Sequence, residues 1–583
     1  MRFEVLRRDG TARLGKFEIG GKTIRTPGLI GKDELETMKI EPHRFIPRLN
    51  EDIIEELNPC TAQGDEEYDA RVIYYPILPT KNAFLYILAS ANQYLGDYRT
   101  LSEALMKIGD TIPPDSALFL PAIASPENVS IFLFYGVDLF DDIYGKISAL
   151  RGVYLTTEGE FRLEDLREFP CNCPECFERS PEDVKRFSKR ERIDFLKSHN
   201  RYALEAEIKK VRILLAKENI REYVEKQCRS SPWLTALLRL VRDDFAEKRS
   251  PLFRKTYLYA NTFESLDRIE IKNFNRRVME RYEKPDLDTL LILPCSARKP
   301  YSLSPSHKKI LDVLSKYRRY IHEVILTSPL GIVPRELEIV YPAFHYDIPV
   351  TGRWAEEEKD WAKDCSKRYL EKNLYESVIA HVDGVYEQVC KEIERDIGLE
   401  FIYTCEDGVT GKRSLENLGE VISGVKKDRA MTSKERKLFS IRSMASYQFG
   451  GKIAEDLLSG DVKVRGRYPK MAAFEGENQI LKVNRSYGSL DLTIDGAKKI
   501  KIKRKRKRKR NSDDYSVEID DFVPTGDVFA VGVLDANEGI RPNDIVIFEG
   551  KRSFGTGRAK MAGWEMIRAK RGSAIKVESV KMK

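Results

Sequence analysis

The chain has 583 residues, of which 42% are hydrophobic and 33% charged, a composition that supports several packed domains and excludes a peptide or a disordered tail. Its net charge is +8, yet the segment 498–510 alone holds 11 basic residues and no acidic one, which leaves −3 for the rest. The positive charge is therefore local and predicts a confined contact with a polyanion.

Segments of membrane character are missing from the sequence pattern. The first residues contain no apolar stretch typical of a signal peptide, and the most apolar segment, 117–140, is interrupted by Pro121, Pro126 and Asp138. Nine cysteines are few for this length, and three of them lie between positions 171 and 176, so a disulfide scaffold is not expected. The sequence thus predicts a cytoplasmic protein that does not enter a membrane.

The first region, up to about residue 250, mixes short apolar runs such as 72–77 with helical patterns such as 203–215. That mixture indicates an α/β fold. The helical pattern ends near the breaker pair Ser250-Pro251, and we place the first domain boundary a little beyond it.

Three cysteines and one histidine of this region have a metal-binding spacing: Cys171, Cys173, Cys176 and His199 give C-x-C-x2-C-x22-H. Three thiolates and one imidazole fill the tetrahedral shell that Zn²⁺ prefers and leave no position for a reacting water. We therefore predict a structural zinc site. The alternative is a set of free thiols beside a surface histidine.

The second region alternates continuous apolar runs with amphipathic helices. Strands are predicted over 287–293, 323–327, 378–382 and 400–405, and helices over 304–317, 355–374 and 383–396. This alternation indicates a parallel sheet that is covered on both faces. Ligands bind such sheets beyond the carboxyl ends of the strands, where the chain has Pro294-Cys295, 328–331, Asp383-Gly384 and Glu406-Asp407.

One of these loops gathers several reactive side chains. Cys295, Lys299, Tyr301 and His307 place a thiol, an ammonium group, a phenol and an imidazole between a strand and a helix, with Ser304 as the expected N-cap. The helix N-terminus and Lys299 would favour the nucleophilic thiolate form of Cys295. The alternative is an inert cysteine at a strand end, followed by a solvated basic turn.

The last third of the chain begins with a helical connector over 433–458, followed by a smaller mixed region up to about residue 502. The basic run comes next, and the final part, 515–583, has short strands separated by Gly and Asn, which is typical of a small β-rich module.

Several motifs of the first region resemble those of tRNA-guanine transglycosylases. They are 25–28 (Arg-Thr-Pro-Gly), 136–141 (Gly-Val-Asp-Leu-Phe-Asp), the cysteine segment 169–176 and His199-Asn200. The resemblance implies that Asp141 occupies the position of the nucleophile that displaces guanine from ribose. It also implies a TIM-barrel-like domain.

The first region also departs from that family. The Asp-Ser-Gly motif, which carries the family's second essential aspartate, and the Gly-Gly-Leu-x-x-Gly-Glu loop are both missing from the chain. The cysteines arrive too early for a full barrel to precede them. We therefore expect a degenerate barrel, and for Asp141 we favour a structural carboxylate over a catalytic one.

The loop of the second region resembles the archaeosine synthases, large paralogues of the transglycosylases. Residues 294–307 match their Pro-Cys-x3-Lys-Pro-Tyr-x2-Ser-x2-His signature, and 328–338 and 342–354 are similar to the same core domain. Residues 535–536, 540–544, 555–559 and 571–572 resemble a PUA domain, a small RNA-binding barrel.

Together the resemblances imply an α/β multidomain protein with four parts. These are a degenerate TIM-barrel-like transglycosylase domain with the zinc site (1–255), a parallel-sheet α/β core domain (280–425), a small α+β domain (430–505) and a C-terminal β-barrel PUA domain (515–583).

The family resemblance implies a tRNA-modifying enzyme. Its substrate is tRNA carrying 7-cyano-7-deazaguanine at position 15, whose nitrile becomes the amidine of archaeosine. Free lysine would be the nitrogen donor and give a lysine adduct that a radical-SAM partner cleaves; glutamine or ammonia is the alternative source. Paralogues of the family are commonly homodimers.

The resemblance also assigns candidate site residues. The catalytic candidates are Cys295, Lys299, Tyr301, Ser304 and His307, with Asp141 as a weaker one, and the substrate-binding candidates are Ser328, Glu336, Glu338 and Asp347. Cys295 could form a thioimidate that the amine displaces, or Lys299, Tyr301 or His307 could protonate the nitrile nitrogen during direct attack. For the acidic candidates, the alternative is ordinary surface ion pairing.

The tRNA-binding candidates are Lys503, Arg504, Lys505, Arg506, Lys507, Arg508, Arg541 and Arg558. A solvated positive strand or a flexible linker is the alternative for the basic run, and a nuclear address is another. Two other functions remain open at this point: a transglycosylase that inserts the free base, and a non-catalytic tRNA-binding subunit.

Overall fold

The structure is a computed structural model that describes residues 1–31, 33–34, 70–349, 351–505 and 515–583. The chain forms two compact units. The first consists mainly of Met1–Ser250, and the second mainly of Pro251–Val528, Gly532–Trp564 and Ser573–Lys583.

The first unit contains an antiparallel meander and a parallel sheet. The meander is β1 (Arg2–Asp9), β2 (Ala12–Ile19) and β3 (Lys22–Thr26). The sheet has the order β4-β8-β7-β6-β5, with β4 (Gly28–Leu29), β5 (Ala70–Ile73), β6 (Leu85–Leu88), β7 (Ala117–Leu120) and β8 (Leu139–Phe140). Within the described ranges these five parallel strands fall short of the eight of a closed barrel, as expected for a degenerate one.

Helices and one hairpin accompany these sheets between residues 98 and 250. The helices are α1 (Tyr98–Thr111), α2 (Val129–Phe134), α3 (Ile143–Leu150), α4 (Pro181–Lys185), α5 (Lys189–Ala216), α6 (Ile220–Gln227), α7 (Pro232–Leu240) and α8 (Asp243–Glu247), and the hairpin is β9 (Val153–Thr156) with β10 (Gly159–Arg162). The long helix α5 begins with a capping box, in which Ser188 and Glu191 bond each other's backbone N–H groups. Its buried face packs Leu204, Ile208 and Val211 into the core of the unit.

The second unit is built on a five-stranded sheet. Its order is β14-β13-β12-β16-β17, with β12 (Thr289–Pro294), β13 (Ile321–Thr327), β14 (Gly331–Pro334), β16 (Ser377–Ala380) and β17 (Phe401–Tyr403). The four predicted strands are confirmed and run parallel. The sequence pattern missed β14, an antiparallel edge strand, because Ser328–Gly331 turns the chain back within four residues and Gly331 takes a positive φ of 72°.

The helices around this sheet are α9 (Ile269–Arg281), α10 (Pro305–Leu314), α11 (Glu356–Lys372), α12 (Gly384–Ile397) and α13 (Lys412–Ser423). All three predicted helices of the region are confirmed, with ends shifted by a few residues. A short parallel pair lies outside the sheet, formed by β11 (Leu258–Tyr259) and β15 (Tyr346–Asp347).

The remainder of the second unit begins with two helices, α14 (Ser433–Phe449) and α15 (Gly451–Leu457), which break at Gly450 because its φ is +88°. A four-stranded antiparallel sheet and a helix follow: β18 (Val462–Arg467), β19 (Lys470–Glu475), β20 (Asn478–Asn484), β21 (Ser489–Leu492) and α16 (Ile494–Lys505).

The C-terminal module is a strongly curved β-sheet. Its elements are β22 (Ser516–Ile519), β23 (Val528–Phe529), β24 (Val533–Ala536), β25 (Ile545–Glu549), β26 (Ser553–Ala559), α17 (Gly563–Arg568) and β27 (Ser573–Met582), with the sheet order β23-β27-β26-β25-β22-β24. The sheet is a nearly closed barrel, as the sequence predicts. In the ranges that the structure describes, no helix is both long and apolar enough to cross a bilayer.

Candidate functional site

The carboxyl ends of the parallel strands β12, β13, β16 and β17 meet at one edge of the second sheet. Each of the four predicted loop segments lies there, at the end of its strand or within three residues of it. Of these, the loop after β12 carries the largest set of candidate side chains. The structure therefore confirms that the four predicted segments lie at the carboxyl edge of the sheet, where ligands bind in folds of this kind.

Cys295 lies directly beyond β12 and is half-buried. Its Sγ is 3.0 Å from the hydroxyl of Tyr386, in the first turn of α12. The ring of Trp354 meets the Tyr386 ring edge-on, with centroids 4.8 Å apart. Burial and the nearby thiol raise the pKa of Tyr386, so at neutral pH this phenol keeps its proton and can donate a hydrogen bond to the sulfur.

Lys299 lies above the ring of Tyr346, with Nζ 3.9 Å from the ring centroid. Burial lowers the pKa of Lys299, and the charges of Cys295 and Asp347 partly oppose that shift. The thiol, the ammonium group and the exposed carboxylate of Asp347 are therefore close enough to interact electrostatically. A lysine whose proton is held less tightly is suited to proton transfer.

Tyr301 lies beneath this group and is fully buried. Its hydroxyl is 2.7 Å from that of Tyr346, which is in turn 2.7 Å from Oγ1 of Thr327. Burial and the neighbouring phenol raise the pKa of Tyr301 well above its usual value. The Tyr301 hydroxyl thus supports the ring on which Lys299 rests.

His307 and Ser304 fix the loop to the sheet. Arg335 donates to Nδ1 of His307 at 3.0 Å, so the ring proton lies on Nε2, which donates to the carbonyl of Pro294 at 2.9 Å. Burial and the guanidinium lower the pKa of His307 to about 3. The expected N-cap is confirmed, since Oγ of Ser304 accepts a hydrogen bond from the His307 N–H.

Glu338 holds the same loop from a second side. Its carboxylate accepts hydrogen bonds from the backbone N–H and the hydroxyl of Ser302, and it pairs with Arg335 at 3.0 Å. The hydroxyl of Tyr468, in the turn between β18 and β19, donates to it as well. Glu338 is 1% exposed, so its oxygens are committed to holding the loop.

Glu336 lies elsewhere. Its Oε2 is 2.9 Å from the hydroxyl of Tyr282 and 3.3 Å from Nε2 of His322, at the amino end of β13. Because Cys295 follows the carboxyl end of the neighbouring parallel strand, the structure places Glu336 at the opposite edge of the sheet. The sequence motif alone could not separate Glu336 from Glu338.

Ser328 and Asp347 remain at the carboxyl edge. Ser328 is 1% exposed, and its hydroxyl donates to Oε1 of Glu358 in α11 at 2.6 Å. Asp347 is exposed, and its Oδ1 accepts the N–H of Ile348 at 3.0 Å. Of the four substrate-binding candidates, only Asp347 presents its carboxylate to solvent at this edge.

The four predicted metal ligands converge in the first unit. The Sγ atoms of Cys173 and Cys176 lie 3.6 and 3.4 Å from Nδ1 of His199, and with Cys171 the four ligand atoms lie within 4.8 Å of one another. Tetrahedral Zn²⁺ with Zn–S bonds of about 2.3 Å and a Zn–N bond of about 2.0 Å requires S–N separations of roughly 3.5 Å. The donor set therefore fits a metal ion of this kind.

Hydrogen bonds from neighbouring elements orient His199 so that it can bind a metal ion. Nε2 of His199 donates to the carbonyl of Leu155 at 3.0 Å, which leaves the Nδ1 lone pair for a metal. The amide of Asn200, the next residue of α5, bonds Leu155 N, Gly145 O and Val153 O at 2.9 to 3.1 Å and fixes the helix to the hairpin. With four protein ligands the cluster has no open position for chemistry.

Asp141 lies at the carboxyl edge of the first sheet, directly after β8. Its Oδ1 accepts the N–H groups of Ala122 and Ile143 at 2.9 and 3.2 Å, whereas its buried Oδ2 has no hydrogen-bond partner among the described residues. Burial raises the pKa of Asp141 to about 7. The carboxyl thus ties the loop after β7 to the strand end.

The basic candidates differ in what the structure describes. Lys503, Arg504 and Lys505 end α16, and Arg506, Lys507 and Arg508 lie outside the described residues. Arg541 is half-buried, with its guanidinium on the carbonyls of Glu538 and Gly539. Arg558 is 3% exposed and pairs with Asp491 at 2.6 Å, which commits its guanidinium to an internal contact.

Four known sequence families match successive parts of the chain. Residues 62–232 match the family described as Queuine tRNA-ribosyltransferase, 271–422 a domain of unknown function (DUF5591), 440–505 the patch-forming domain C2 of tRNA-guanine transglycosylase, and 517–581 the PUA domain.

Two relatives match over nearly the whole length. The archaeosine synthase subunit alpha of Methanosarcina acetivorans is 41% identical and the archaeosine synthase of Haloferax volcanii 36%, and each comparison covers 99% of both chains. The chain belongs to the archaeosine synthase family. It is thus an enzyme of archaeosine formation in tRNA. The tRNA-guanine(15) transglycosylase of Methanothermobacter thermautotrophicus is more distant, at 28% identity over 82% of this chain and 68% of that protein.

In this archaeosine synthase family member, the sequence reasoning missed part of the edge. Nδ1 of the buried His381 accepts the Thr404 hydroxyl at 2.8 Å and lies 3.6 Å from Sγ of Cys405, while Nε2 donates to the carbonyl of Val409. Tyr386 was missed as well. The available signal was positional, because these residues follow predicted strands β16 and β17 at the edge where ligands bind.

Proposed function

We propose that this enzyme adds an amine to the nitrile carbon of 7-cyano-7-deazaguanine at position 15 of tRNA. The single observation that carries the proposal is the half-buried Cys295 at the carboxyl edge of the second sheet, with the Tyr386 hydroxyl 3.0 Å from its sulfur and Lys299 in the same loop. A nitrile is a weak electrophile, so it needs both a strong nucleophile and a proton donor for its nitrogen.

The preferred route is covalent. The Cys295 thiol adds across the nitrile, forming a C–S bond and transferring one proton to nitrogen, which gives a thioimidate. The amine then attacks the same carbon, the C–S bond breaks, and the thiolate takes a proton from the incoming amine. In the alternative route the amine attacks directly while Lys299, whose pKa is lowered, protonates the nitrogen.

The buried groups that hold the Cys295 loop act by positioning. We assign His307, Ser304 and Glu338 to holding the loop, because their polar atoms are bonded to Pro294, the helix backbone and Ser302. Tyr301 supports Tyr346 under Lys299. Glu336 has no place near the reacting atoms in this proposal.

Free lysine is the donor that we favour over glutamine or ammonia, which gives an adduct that a radical-SAM partner would cleave. The exposed carboxylate of Asp347 and the Glu358–Ser328 pair supply negative charge at the edge to bind a cationic amino acid. The metal of the cysteine cluster is proposed to be structural zinc. We further propose that the enzyme is a cytoplasmic homodimer and that it binds tRNA through its PUA domain and its basic run. The four domain boundaries are proposed to be those predicted from the sequence.

The proposal is tested on full-length protein with tRNA that carries the nitrile base. Lysine, glutamine and ammonium are offered separately, and digested nucleosides are measured by mass spectrometry. We expect a lysine adduct with lysine alone. With no amine present, the covalent route predicts a protein–RNA adduct that Cys295→Ala lacks and Ser296→Ala, a matched change in the same loop, retains.

The absence of any product with all three donors would refute the amine addition. Incorporation of labelled guanine into unmodified tRNA would instead favour the transglycosylase, and tRNA binding without either reaction would favour a non-catalytic subunit.

A further inference from the structure

Three exposed aromatic residues lie within seven positions of the chain before the core domain, and the rings of two of them, Tyr257 and Tyr259, form a cluster. Tyr257, Tyr259 and Phe263 are 48%, 38% and 52% exposed, and in the described part of the second unit they are the aromatic residues with the greatest exposure. Aromatic rings supply much apolar surface, and a group of solvent-exposed aromatic rings is typical of a binding surface. The chemistry proposed above uses none of them.

The backbone presents two of these rings on one side. Leu258, between the two tyrosines, is buried, whereas Tyr257 and Tyr259 are exposed, so both point away from the core. Their rings are nearly parallel, with centroids 6.4 Å apart and planes at 29°. The ring of His345 meets Tyr257 edge-on at 5.8 Å, and burial lowers the pKa of His345 to about 4, so the supporting ring is neutral.

The cluster is continuous with the candidate active site. Strand β11 pairs with β15 so that Leu258 lies opposite Tyr346 and Tyr259 opposite Asp347. Tyr346 is the residue that carries Lys299 above its ring. One strand pair thus links the exposed rings to the loop of Cys295.

Basic groups accompany the aromatic rings. Lys255 is exposed two residues before Tyr257 and has its Nζ 4.9 Å from the ring centroid of Tyr487. Phe344 packs against His345, and the exposed Arg485 lies 5.7 Å from the Phe344 ring centroid. Aromatic rings flanked by cations are the arrangement that binds unpaired nucleotides, since bases stack and phosphates pair. The exposed Asp347 lies opposite Tyr259 in the strand pair, at the end toward Lys299.

We propose that Tyr257 and Tyr259 form a stacking platform for unpaired nucleobases of the tRNA next to the base being modified. The inference rests on the proposed function, because a base whose nitrile reaches Cys295 has left its stack, and its neighbours then lack stacking partners. The platform restores those contacts on the protein. Its recognition is of base faces, so it tolerates different sequences.

The test measures binding of full-length protein to three probes: an unmodified tRNA transcript, a labelled single-stranded RNA of about 12 nucleotides, and a duplex of equal length. We expect the double change Tyr257→Ala/Tyr259→Ala to weaken binding of tRNA and single-stranded RNA by about 10- to 100-fold. Duplex binding and the salt slope should stay unchanged, because the change removes no cation that pairs with a phosphate. Tyr257→Phe/Tyr259→Phe should bind like wild type, and so should Leu374→Ala, a change at a side chain that is 78% exposed in the same unit.

Wild-type affinity of the double alanine variant for both tRNA and single-stranded RNA would refute the platform and leave a protein partner as the occupant. An equal loss on the duplex, or a reduced salt slope, would refute stacking in favour of phosphate contact. The probes contain no nitrile and no amine donor is added. A protein that binds in the expected way but forms no adduct would therefore retain the platform while the proposed function fails.

Discussion

The two parallel sheets of the molecule place different chemistry at their carboxyl edges. At the first, Asp141 is 2% exposed, uses one oxygen to hold the loop after β7, and has a pKa raised to about 7 by burial. At the second, Cys295 is half-buried beside a phenol and near a lysine with a lowered pKa. The same kind of edge thus serves as a scaffold in one sheet and as the candidate reaction centre in the other.

The difference leads us to expect different roles for two positions that both match family motifs. Asp141 matches the transglycosylase nucleophile in sequence, yet its buried environment disfavours the charged form that a nucleophile needs. The Cys295 loop is held by His307 and Glu338 from two sides while the thiol itself keeps access to solvent. Support from buried groups combined with an accessible reactive atom is the property that distinguishes the second edge.

Substitutions of the two reactive side chains at the second edge should have the largest effect. Cys295→Ser and Lys299→Ala should each lower the rate of adduct formation by about 100-fold or more, equivalent to roughly 2.7 kcal/mol of barrier. Binding of tRNA should stay within a few fold, since the residues that we propose to contact phosphate lie elsewhere. Single-turnover rates by mass spectrometry and filter binding measure the two effects. Full activity in both variants would place the chemistry outside this loop.

The metal cluster tests whether the first unit is a scaffold. Cys173→Ala should reduce bound metal to near zero and destabilise that unit by several kcal/mol, because a closed structural site contributes directly to folding. Elemental analysis and thermal unfolding measure both consequences, with Cys228→Ala, a buried cysteine outside the cluster, as the control. Stoichiometric zinc in the Cys173 variant would contradict the assignment.

Deletion of the basic run should change the affinity for tRNA but not the chemical step. Deleting 503–510 should weaken tRNA binding and reduce the slope of log K against log salt concentration by about 0.7 to 0.9 for each phosphate that the deleted residues neutralise. The rate of adduct formation at saturating tRNA should change little. A salt titration gives the slope, and an unchanged slope would mean that the run binds no phosphate.

Asp141→Asn should have the smallest effect, within about threefold on adduct formation. Because the folded pKa of Asp141 is raised to about 7 from 3.8, the folded state holds a proton that the unfolded state releases, so this group's contribution to stability falls as pH rises from about 4 to about 7. Asparagine has no such proton. The thermal midpoint of the Asn variant minus that of wild type should therefore increase between pH 5 and pH 8. A difference that does not change with pH would contradict a buried, neutral carboxyl.

The sequence was sufficient for features that depend on local pattern. Apolar runs predicted β12, β13, β16 and β17, because strands that are buried on both faces must be continuously apolar. The spacing of Cys171, Cys173, Cys176 and His199 predicted the metal cluster, since few arrangements other than a shared ion favour that set. Because the strands were predicted to be parallel, the sequence also predicted that Cys295 would lie at the carboxyl edge of the sheet.

Other features depended on contacts between residues far apart in the chain. Glu336 and Glu338 are two positions apart in sequence, but the antiparallel return of β14 places Glu336 beside His322 and Glu338 beside Ser302. The contact of Tyr386 with Cys295 joins residues that are 91 positions apart in sequence. The ion pair of Arg558 with Asp491 joins residues that are 67 positions apart. Periodicity and spacing determine which elements form and which residues end them; only tertiary packing decides which side chains meet, because burial and partners are set by the neighbouring elements.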